Sequence, residues 1–493
     1  MIFLHCAILV VWLYLALIHL RVTTMPGYKQ IKQKANMYRF PDIDDKHRAK
    51  AGTLITNGDG HGCALRPLFV AIKHGMAPNL TKDKYQQIVQ IYKHSFPPHG
   101  LSKDDLLTFK ELLNGINFKS EGAILWLGDM LADRGGNDYL TLLVFQRLHQ
   151  CGINFKILLS NHDVEFIHNY EHNLDFMTAR RLSNETQYNS MKQLGKLLAQ
   201  DLITREEINT LMKDVYLPVL KLISYTVNEA GTAITIFSHA PIGLTTLEHL
   251  TTQFQTIYSD SSLQNLTETI DAINQKFTEQ YVKTNTVSSL IRTLKNSRED
   301  PVSYTIWNRE TQALFRPEIL NGIEMNFSHG HHSDEDERLP KNIINLDNTF
   351  AKAAINFKNE VTHYNKGEYT ALYAKEHASL KATHWYRSTS DSAAAHAPPA
   401  TTRHHAVQQA QAQPKPATLA TSPTVAPLTP TRRHHPVKPP LPRHKSATLA
   451  APPTAASVPR TTTHRSTLFT PATPTTISEK AQPKPSTKDF NPK

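Results

Sequence analysis

The sequence is short of cysteine: its 493 residues include three, Cys6, Cys63 and Cys151. Three cysteines cannot build a disulfide framework, so a disulfide-stapled scaffold is excluded and a reducing compartment is the default expectation. Cys63 lies four residues after Asp59, and we interpret it as a small buried apolar side chain. The length alone allows two or three domains.

Aromatic side chains are almost absent from residues 388–493, where Phe469 and Phe490 are the only two. This segment is rich in Ala, Pro and Thr, and it cannot bury enough apolar surface to offset the entropy lost on ordering. We therefore predict a disordered C-terminal tail. It carries 13 Lys and Arg against 3 Asp and Glu, whereas the rest of the chain carries 41 against 40. The positive charge thus belongs to the tail, and we predict no nucleic-acid partner.

The basic tail also contains a recognisable binding motif. Arg433, Pro436 and Pro439 have the spacing of an SH3-domain ligand, and the clustered positive charge suits an anionic surface. We therefore predict an SH3-type domain or an anionic surface as a partner of the tail. The corresponding alternative to an enzyme is a scaffold protein that works through this tail.

Residues 2–20 lack charged side chains altogether. At about 1.5 Å rise per residue, a helix of this length nearly matches the roughly 30 Å hydrocarbon core of a bilayer. We interpret residues 1–24 either as a single membrane span or as a start-site artefact upstream of Met25. Arg21 and Lys29 follow the segment and no basic residue precedes it, so a span would leave the main domain facing the cytoplasm.

Short apolar runs alternate with helical stretches between residue 52 and about residue 375, which is typical of an α/β domain. We predict strands at 53–57, 123–127, 155–159, 232–237, 323–327 and 343–346. The pattern predicts a helix from Asp138 to Gln150. A second helix should begin with a capping box of Ser102 and Asp105 and end at Gly115.

Two longer helical stretches interrupt this alternation. Thr204 and Glu207 open an apolar stripe at helical spacing that continues to Leu222, and a further stretch covers about 263–294. We interpret these stretches as a helical cap inserted at about residues 165–300, beside the sheet. Substrate selection could reside in such a cap.

Five polar motifs follow predicted strands, where ligands bind in open α/β sheets. They are Gly-Asp-Gly-His-Gly at 58–62, Gly-Asp-Met-Leu-Ala-Asp-Arg-Gly at 128–135, Ser-Asn-His-Asp at 160–163, Ser-His-Ala-Pro at 238–241 and His-Gly-His-His at 329–332. Carboxylates and imidazoles suit divalent cations, and the planar arginine fork suits phosphate oxygens. The combination predicts metal-assisted phosphoryl chemistry.

In this order the motifs resemble those of the calcineurin-like metallophosphoesterase superfamily, in its phosphoprotein-phosphatase branch, over about residues 52–350. The resemblance implies a two-sheet α/β sandwich with both metals at one edge, which we place in a metallophosphoesterase domain at residues 40–387. The cap and the long tail also resemble the layout of translocated bacterial effector phosphatases of the Wip type. The expected location is therefore cytoplasmic-facing, either anchored by residues 2–20 or translocated as an effector.

The resemblance implies two divalent metal ions, with Mn²⁺ as the expected ion and Fe or Zn as alternatives. Their implied ligands are Asp59, His61 and Asp129 for the first metal, and Asp129, Asn161, His239 and His331 for the second. A bridging carboxylate reduces the repulsion between two cations, and neutral ligands leave positive charge that lowers the pKa of a shared water. His332 adjoins His331, but the Gly-His spacing favours His331.

The resemblance also implies four catalytic residues. Arg134 and Arg309 should bind the phosphate, His162 should be the general acid for the leaving group, and Asp133 should orient His162 and favour its protonated form. Arg309 belongs to a Trp-Asn-Arg triplet that resembles the Trp-x-Arg of bacterial members. Asp347 falls where the family has an Asp after its last strand.

Three residues beside the implied ligands depart from the family pattern. Ser160 stands where Gly is usual, Leu159 replaces an Arg common in eukaryotic-type enzymes, and Ala-Pro follows His239 where Gly-Gly is frequent. These departures argue against a eukaryotic-type substrate groove and leave the metal ligands in place.

The predicted function is a metal-dependent phosphomonoester hydrolase that acts on phosphorylated proteins. A hydroxide bridging the two metals would attack phosphorus directly, without a phosphoenzyme. The alternative enzyme, in the same fold, is a nucleotide or dinucleoside-polyphosphate hydrolase, because bacterial members of the branch include such enzymes.

Overall fold

The computed structural model describes residues 28–178, 185–292, 297–310, 314–331, 339–355, 361–363 and 365–375. All of them fall within the first of two units into which the chain divides, Met1–Arg403. The predictions for the apolar segment 2–20, the tail 388–493 and His332 lie outside these residues. No helix within the described ranges is long and apolar enough to cross a bilayer.

The described residues form thirteen strands and ten α-helices. The strands are β1 (Tyr28–Asn36), β2 (Thr53–Asn57), β3 (Ala123–Trp126), β4 (Asn154–Leu158), β5 (Leu220–Lys221), β6 (Ile223–Val227), β7 (Ala233–Ser238), β8 (Ile319–Leu320), β9 (Ile323–His329), β10 (Ile343–Asn345), β11 (Ala353–Ile355), β12 (Val361–His363) and β13 (Lys366–Lys375). The helices are α1 (Leu65–Lys73), α2 (Lys82–His94), α3 (Lys103–Asn114), α4 (Asp138–Gln150), α5 (Asn161–Glu171), α6 (Asn189–Ala199), α7 (Arg205–Leu211), α8 (Leu244–Phe254), α9 (Leu263–Thr284) and α10 (Pro301–Trp307).

Two sheets organise these elements. The first has the order β1-β13-β2-β3-β4-β5, with β2 to β5 parallel and β13 and β1 antiparallel at one edge. The second has the order β10-β9-β7-β6, with β7, β9 and β10 parallel, and β8 adds to β9. A separate hairpin joins β11 and β12. The predicted α/β class with two sheets is therefore confirmed.

The central strands are apolar on both faces because both faces are covered. Leu125 in β3 joins a cluster that also contains Phe237 and Ile344 of the second sheet. Its neighbours Ile124 and Trp126 join the larger cluster that includes side chains of α1 and α4. The two sheets therefore share one apolar layer, and helices cover the opposite face of the first sheet.

The predicted strands are all found to within two residues at either end. The helix at 138–150 and the capping box of Ser102 and Asp105, with Gly115 at the C-cap, are also confirmed. Strand β1 was not predicted, and it extends the sheet on the N-terminal side of residue 40. Its lysines are exposed while Ile31 is buried, so this edge strand has no apolar run by which the sequence would reveal it.

The helix predicted to run from Thr204 to Leu222 is wrong beyond Leu211. Thr204 and Glu207 do form the capping box, but α7 ends at Leu211, and a π-helical turn, a 3-10 turn and β5 follow. The apolar stripe persists because these short segments pack against the same core. The segment 165–300 predicted as a helical cap consequently also supplies β5 to the first sheet and β6 and β7 to the second.

Candidate metal centre

Five loops at the carboxyl ends of parallel strands form the candidate site. The loop after β2 carries Asp59 and His61, the loop after β3 carries Asp129, Asp133 and Arg134, the loop after β4 carries Asn161 and His162, the loop after β7 carries His239, and the loop after β9 carries His331. Because these strands are parallel, their carboxyl ends meet at one edge, and the loops of both sheets converge there.

Three predicted ligands have left-handed backbones. The φ angles are 56° at His61, 53° at Asp129 and 61° at His331. A residue with a side chain adopts this conformation at a cost of about 1–3 kcal/mol, so it persists only where neighbouring groups enforce it. The first two loops enforce it on each other, since the N–H groups of Gly60 and Gly62 donate to carbonyl oxygens of the loop after β3, at 2.9 Å each.

We call Asn161, His239 and His331 the histidine half of the site. His239 Nε2 lies 2.9 Å from Asn161 Oδ1, 3.2 Å from His331 Nδ1 and 3.5 Å from Asp129 Oδ1. Ligand atoms around a cation at about 2.1 Å are about 3.0 to 3.4 Å from one another, so this spacing fits a bound metal ion. All four side chains are buried.

The protonation of His239 supports the same interpretation. Its Nδ1 lies 2.8 Å from the carbonyl oxygen of Leu127, which can only accept, so Nδ1 carries the proton. Burial lowers the pKa of His239 and favours the neutral ring, so Nε2 presents a lone pair to the oxygens of Asn161 and Asp129. Asp129 Oδ1 has no hydrogen-bond partner within the described part of the chain. A cation between these acceptors would satisfy them together.

We call Asp59, His61 and Asp347 the carboxylate half. Burial, together with the nearby charges of Asp347 and Asp129, raises the pKa of Asp59 well above its usual value. The buried Oδ1 atoms of Asp59 and Asp347 accept no hydrogen bond from any described residue. Asp59 Oδ2 accepts the His331 N–H at 3.0 Å and thereby joins the two halves. The repelling carboxylates fit a second cation.

His61 is engaged on both ring nitrogens. Nδ1 lies 3.2 Å from Asp133 Oδ2, and Nε2 lies 2.8 Å from the carbonyl oxygen of Asn348 and 3.6 Å from Asp347 Oδ1. His61 would therefore bind a cation through Nε2 only by exchanging its contact with Asn348. Asp129 lies between the halves and contacts both through His239 and through the electrostatic field at Asp59.

Glycine is required where the second sheet approaches Asp59. A Cβ atom on Gly330 would lie 1.8 Å from Asp59 Oδ1, well inside any allowed contact. The Gly330 N–H donates to the carbonyl oxygen of His239 at 2.8 Å, so the loops after β7 and β9 are also joined. This close approach brings ligands from two sheets into one site.

A second group, Asp133, Arg134 and His162, lies beside the ligands. Arg134 Nη1 donates to Asp133 Oδ1 at 3.0 Å, and His162 Nε2 lies 3.8 Å from the same oxygen. His162 Nδ1 lies 2.7 Å from the carbonyl oxygen of Ala132, so it is the donor and Nε2 faces the site. Although burial opposes it, the charges of Asp133 and Asp129 raise the pKa of His162. Despite burial, His162 and Arg134 hold the pKa of Asp133 well below its usual range.

The structure does not bring Arg309 into this set of contacts. Its side chain is exposed, and no contact within the described residues joins it to the ligands. The preceding residues of the triplet do approach: the Trp307 ring lies edge-on at 6.0 Å from the His331 ring, and Asn308 Nδ2 donates to the carbonyl oxygen of Pro241 at 2.7 Å. The other predicted site residues are all linked by the contacts above.

Sequence reasoning missed residues that support the loop after β3. Ser160 caps α5 by accepting the Asp163 N–H, and its hydroxyl also accepts the Asp129 N–H. The Ser-x-x-Asp spacing before a helix is the signal that could have identified this pair. Asp138 and Ser190 accept other N–H groups of the loop, and nothing in the sequence near Ser190 announces that contact.

Comparisons with known proteins give a class of domain. A family model described as "WipA-like, phosphatase domain" matches residues 123–352. The crystal structure of the phosphatase domain from the Legionella effector WipB is similar to this chain, with a TM-score of 0.51 and 29% sequence identity, over 59% of this chain and 100% of that one. No curated protein matches. Both matches are to phosphatase domains and support a phosphatase domain here. Asp59 and His61 precede the residues matched by the family model.

Proposed function

We propose that the protein is a metal-dependent phosphomonoester hydrolase, of the calcineurin-like metallophosphoesterase type and its phosphoprotein-phosphatase branch. The observation that carries this proposal is the approach of three ligand atoms to His239 Nε2 within 3.5 Å, beside the Asp133–Arg134–His162 group. The matches to phosphatase domains support the same class of reaction.

Two cations fit the donor set. Asn161, His239 and His331 with Asp129 would hold one, and Asp59 and His61 with Asp129 would hold the other. Mn²⁺ suits such a mixture of carboxylate, amide and imidazole ligands, which Fe and Zn also accept. When bound, the cations would neutralise charge on the phosphate and lower the pKa of a bound water so that it becomes the nucleophile.

The chain's own side chains bind the phosphate and supply the proton. Arg134 spends one guanidinium N–H on Asp133, and its remaining donors are available for a bidentate contact with phosphate oxygens. His162 holds its transferable proton at Nε2, since Nδ1 is committed to the carbonyl oxygen of Ala132. The Asp133 carboxylate favours the protonated ring, so His162 can donate that proton to the leaving oxygen.

A phosphorylated protein is the proposed substrate, because the order of the motifs resembles the phosphoprotein-phosphatase branch. The description of WipB as an effector supports the further proposal that this protein acts as a translocated bacterial effector. No described contact favours the nucleotide-hydrolase alternative, which therefore becomes an outcome of the test.

The test compares three substrates on the full-length chain: an aryl phosphate, a phosphopeptide and diadenosine tetraphosphate. We expect Mn²⁺-dependent hydrolysis of the first two and its loss in excess EDTA. His239→Ala should lower kcat/KM by about 100-fold or more, because it removes a ligand of the histidine half. His249→Ala, which removes an exposed histidine of α8, is the matched control and should retain activity. Turnover of diadenosine tetraphosphate alone would overturn the protein-phosphatase assignment.

A further inference from the structure

Four backbone N–H groups in the loop after β3 donate to side chains of other elements. The pairs are Asp129 N–H to Ser160 Oγ at 2.9 Å, Leu131 N–H to Asp163 Oδ1 at 2.8 Å, Ala132 N–H to Asp138 Oδ2 at 2.9 Å and Asp133 N–H to Ser190 Oγ at 3.0 Å. All four acceptors are fully buried. Side chains, rather than a ladder or a helix, thus define the path of this loop.

We propose that these contacts position the loop in two separable parts, with Ser160 and Asp163 setting the cation affinity of Asp129 and Ser190 setting the turnover that depends on Asp133. This inference rests on the proposed function. Each side chain acts through the loop rather than on the substrate, so all are positioning residues.

Ser160 and Asp163 form the first part. The Ser160 hydroxyl accepts the N–H groups of Asp129 and Asp163 and donates to Asp163 Oδ2 at 2.7 Å, so its hydrogen-bonding capacity is filled. Asp163 then holds Leu131 through its other oxygen. Asp129 needs this support because its φ of 53° is unfavourable for a residue with a side chain.

This support is a feature of the present chain. The family pattern has Gly before the Asn of the third motif, and Gly offers no hydroxyl to the Asp129 N–H. Ser160 also lies against Gly128, where an added Cβ would come within 2.6 Å of Ser160 Cβ. The loop and the start of α5 are therefore fitted to each other through this serine.

Ser190 forms the second part. Its N–H donates to the carbonyl oxygen of Asp133 at 3.0 Å, while its hydroxyl accepts the Asp133 N–H, so the two residues are joined at two points. The neighbouring Asn189 donates through Nδ2 to the carbonyl oxygen of Gly135 at 2.7 Å. Helix α6 thus fixes both sides of Arg134, and Asp133 in turn contacts Arg134 and lies near His162.

The two parts are separated by Ala132, which has its own left-handed φ of 53° and its own acceptor, Asp138. A loosened contact at one end is therefore not transmitted freely to the other. Loss of a supporting contact of this kind changes metal affinity or activity by about 10- to 100-fold. The two ends should consequently respond differently to the loss of one hydroxyl.

The test uses Ser160→Ala and Ser190→Ala in the full chain. Calorimetric titration of the metal-free protein with MnCl₂ gives the Kd, and aryl phosphate hydrolysis at saturating Mn²⁺ gives kcat. We expect Ser160→Ala to raise the Kd by about 10-fold or more and to change the Kd more than kcat. Ser190→Ala should do the reverse. Thr267→Val removes a buried hydroxyl bond in α9, to the carbonyl oxygen of Gln264, and should change neither quantity.

A double-mutant cycle keeps the inference testable if one serine variant is too unstable to purify. Asp163→Asn should also weaken Mn²⁺ binding, and its effect should not add to that of Ser160→Ala, because the two side chains form one unit. Parallel effects of Ser160→Ala and Ser190→Ala on Kd and kcat would overturn the division into two parts, and so would effects no larger than that of Thr267→Val. A wild type that neither binds Mn²⁺ nor hydrolyses the aryl phosphate overturns the proposed function itself, and this inference with it.

Discussion

The histidine half and the carboxylate half of the site differ in the charge of their side chains. In the histidine half, neutral imidazole and amide groups approach one another within 3.2 Å, and a backbone carbonyl fixes the orientation of His239. In the carboxylate half, Asp59 and Asp347 are buried together and their repulsion raises the pKa of Asp59. A neutral half can be assembled by packing and hydrogen bonds alone. An anionic half gains more from a cation, because buried like charges are otherwise opposed.

Loss of the shared ligand should have the largest effect. Asp129→Ala removes the carboxylate that both halves would use, so we expect less than one Mn²⁺ per chain and a fall in kcat/KM of at least about 100-fold. His239→Ala and Asp59→Ala should each retain one Mn²⁺ per chain. Metal analysis after dialysis, together with aryl phosphate hydrolysis, measures both quantities. Equal metal content in all three variants and the wild type would remove the basis for two halves.

The two arginines assigned to phosphate binding should differ in the same assay. Arg134 is tied to Asp133 at 3.0 Å beside the ligands, whereas Arg309 is exposed and lacks a described contact with them. Arg134→Ala should therefore raise KM for the aryl phosphate by about 10-fold or more, since a charged hydrogen bond is worth about 1.5–3 kcal/mol. Arg309→Ala should raise it less. The opposite order would place Arg309, and not Arg134, at the phosphate.

Asp138 shows how a buried carboxyl behaves without a cation or an arginine, and it sharpens the comparison from outside the ligand set. Burial raises its pKa to about 8, so it stays protonated in the folded chain while it ionises in the unfolded chain from about pH 4. The folded state then binds more protons, and its contribution to stability is lost as pH rises from about 4 to about 8.

Asp138→Asn should remove this dependence. Between pH 5 and pH 7, the free energy of unfolding of the wild type should fall relative to that of the variant by about 1.4 kcal/mol per pH unit at most. Urea denaturation at each pH measures the difference, and Asp83→Asn, at an exposed acidic residue of α2, is the control. Parallel stability curves for wild type and Asp138→Asn would show that Asp138 is ionised in the fold.

The elements that the sequence predicted are those with a local signal. Buried strands appear as uninterrupted apolar runs, and the Ser102 and Thr204 caps appear as a polar residue followed three positions later by an acid. The five loops were found because their residue types match a metal centre. Elements without a local signal were missed, as with polar edge strand β1, whose existence depends on a partner more than 300 residues away in sequence.

The same distinction applies within the site. The ligand and acid residues carry their chemistry in their side chains, so their motifs identify them. Ser190 carries no special chemistry, and its contact with Asp133 exists only because α6 packs against the loop after β3. The end of α7 at Leu211 was missed for a related reason, since the apolar spacing continues through the turns that follow it.

The pairing of β1 with β13 fixes where the two ends of this domain emerge. Tyr28 pairs with Ala374, and Lys375 pairs with Thr53 at the start of β2, whereas the ligand loop follows Asn57 at the other end of that strand. Entry and exit are therefore neighbours, about 13 Å of strand away from the loop that carries Asp59. A fluorescent tag, an affinity handle or an anchoring sequence joined at either position would hold the domain from behind, with the cation-binding edge turned away from the attachment.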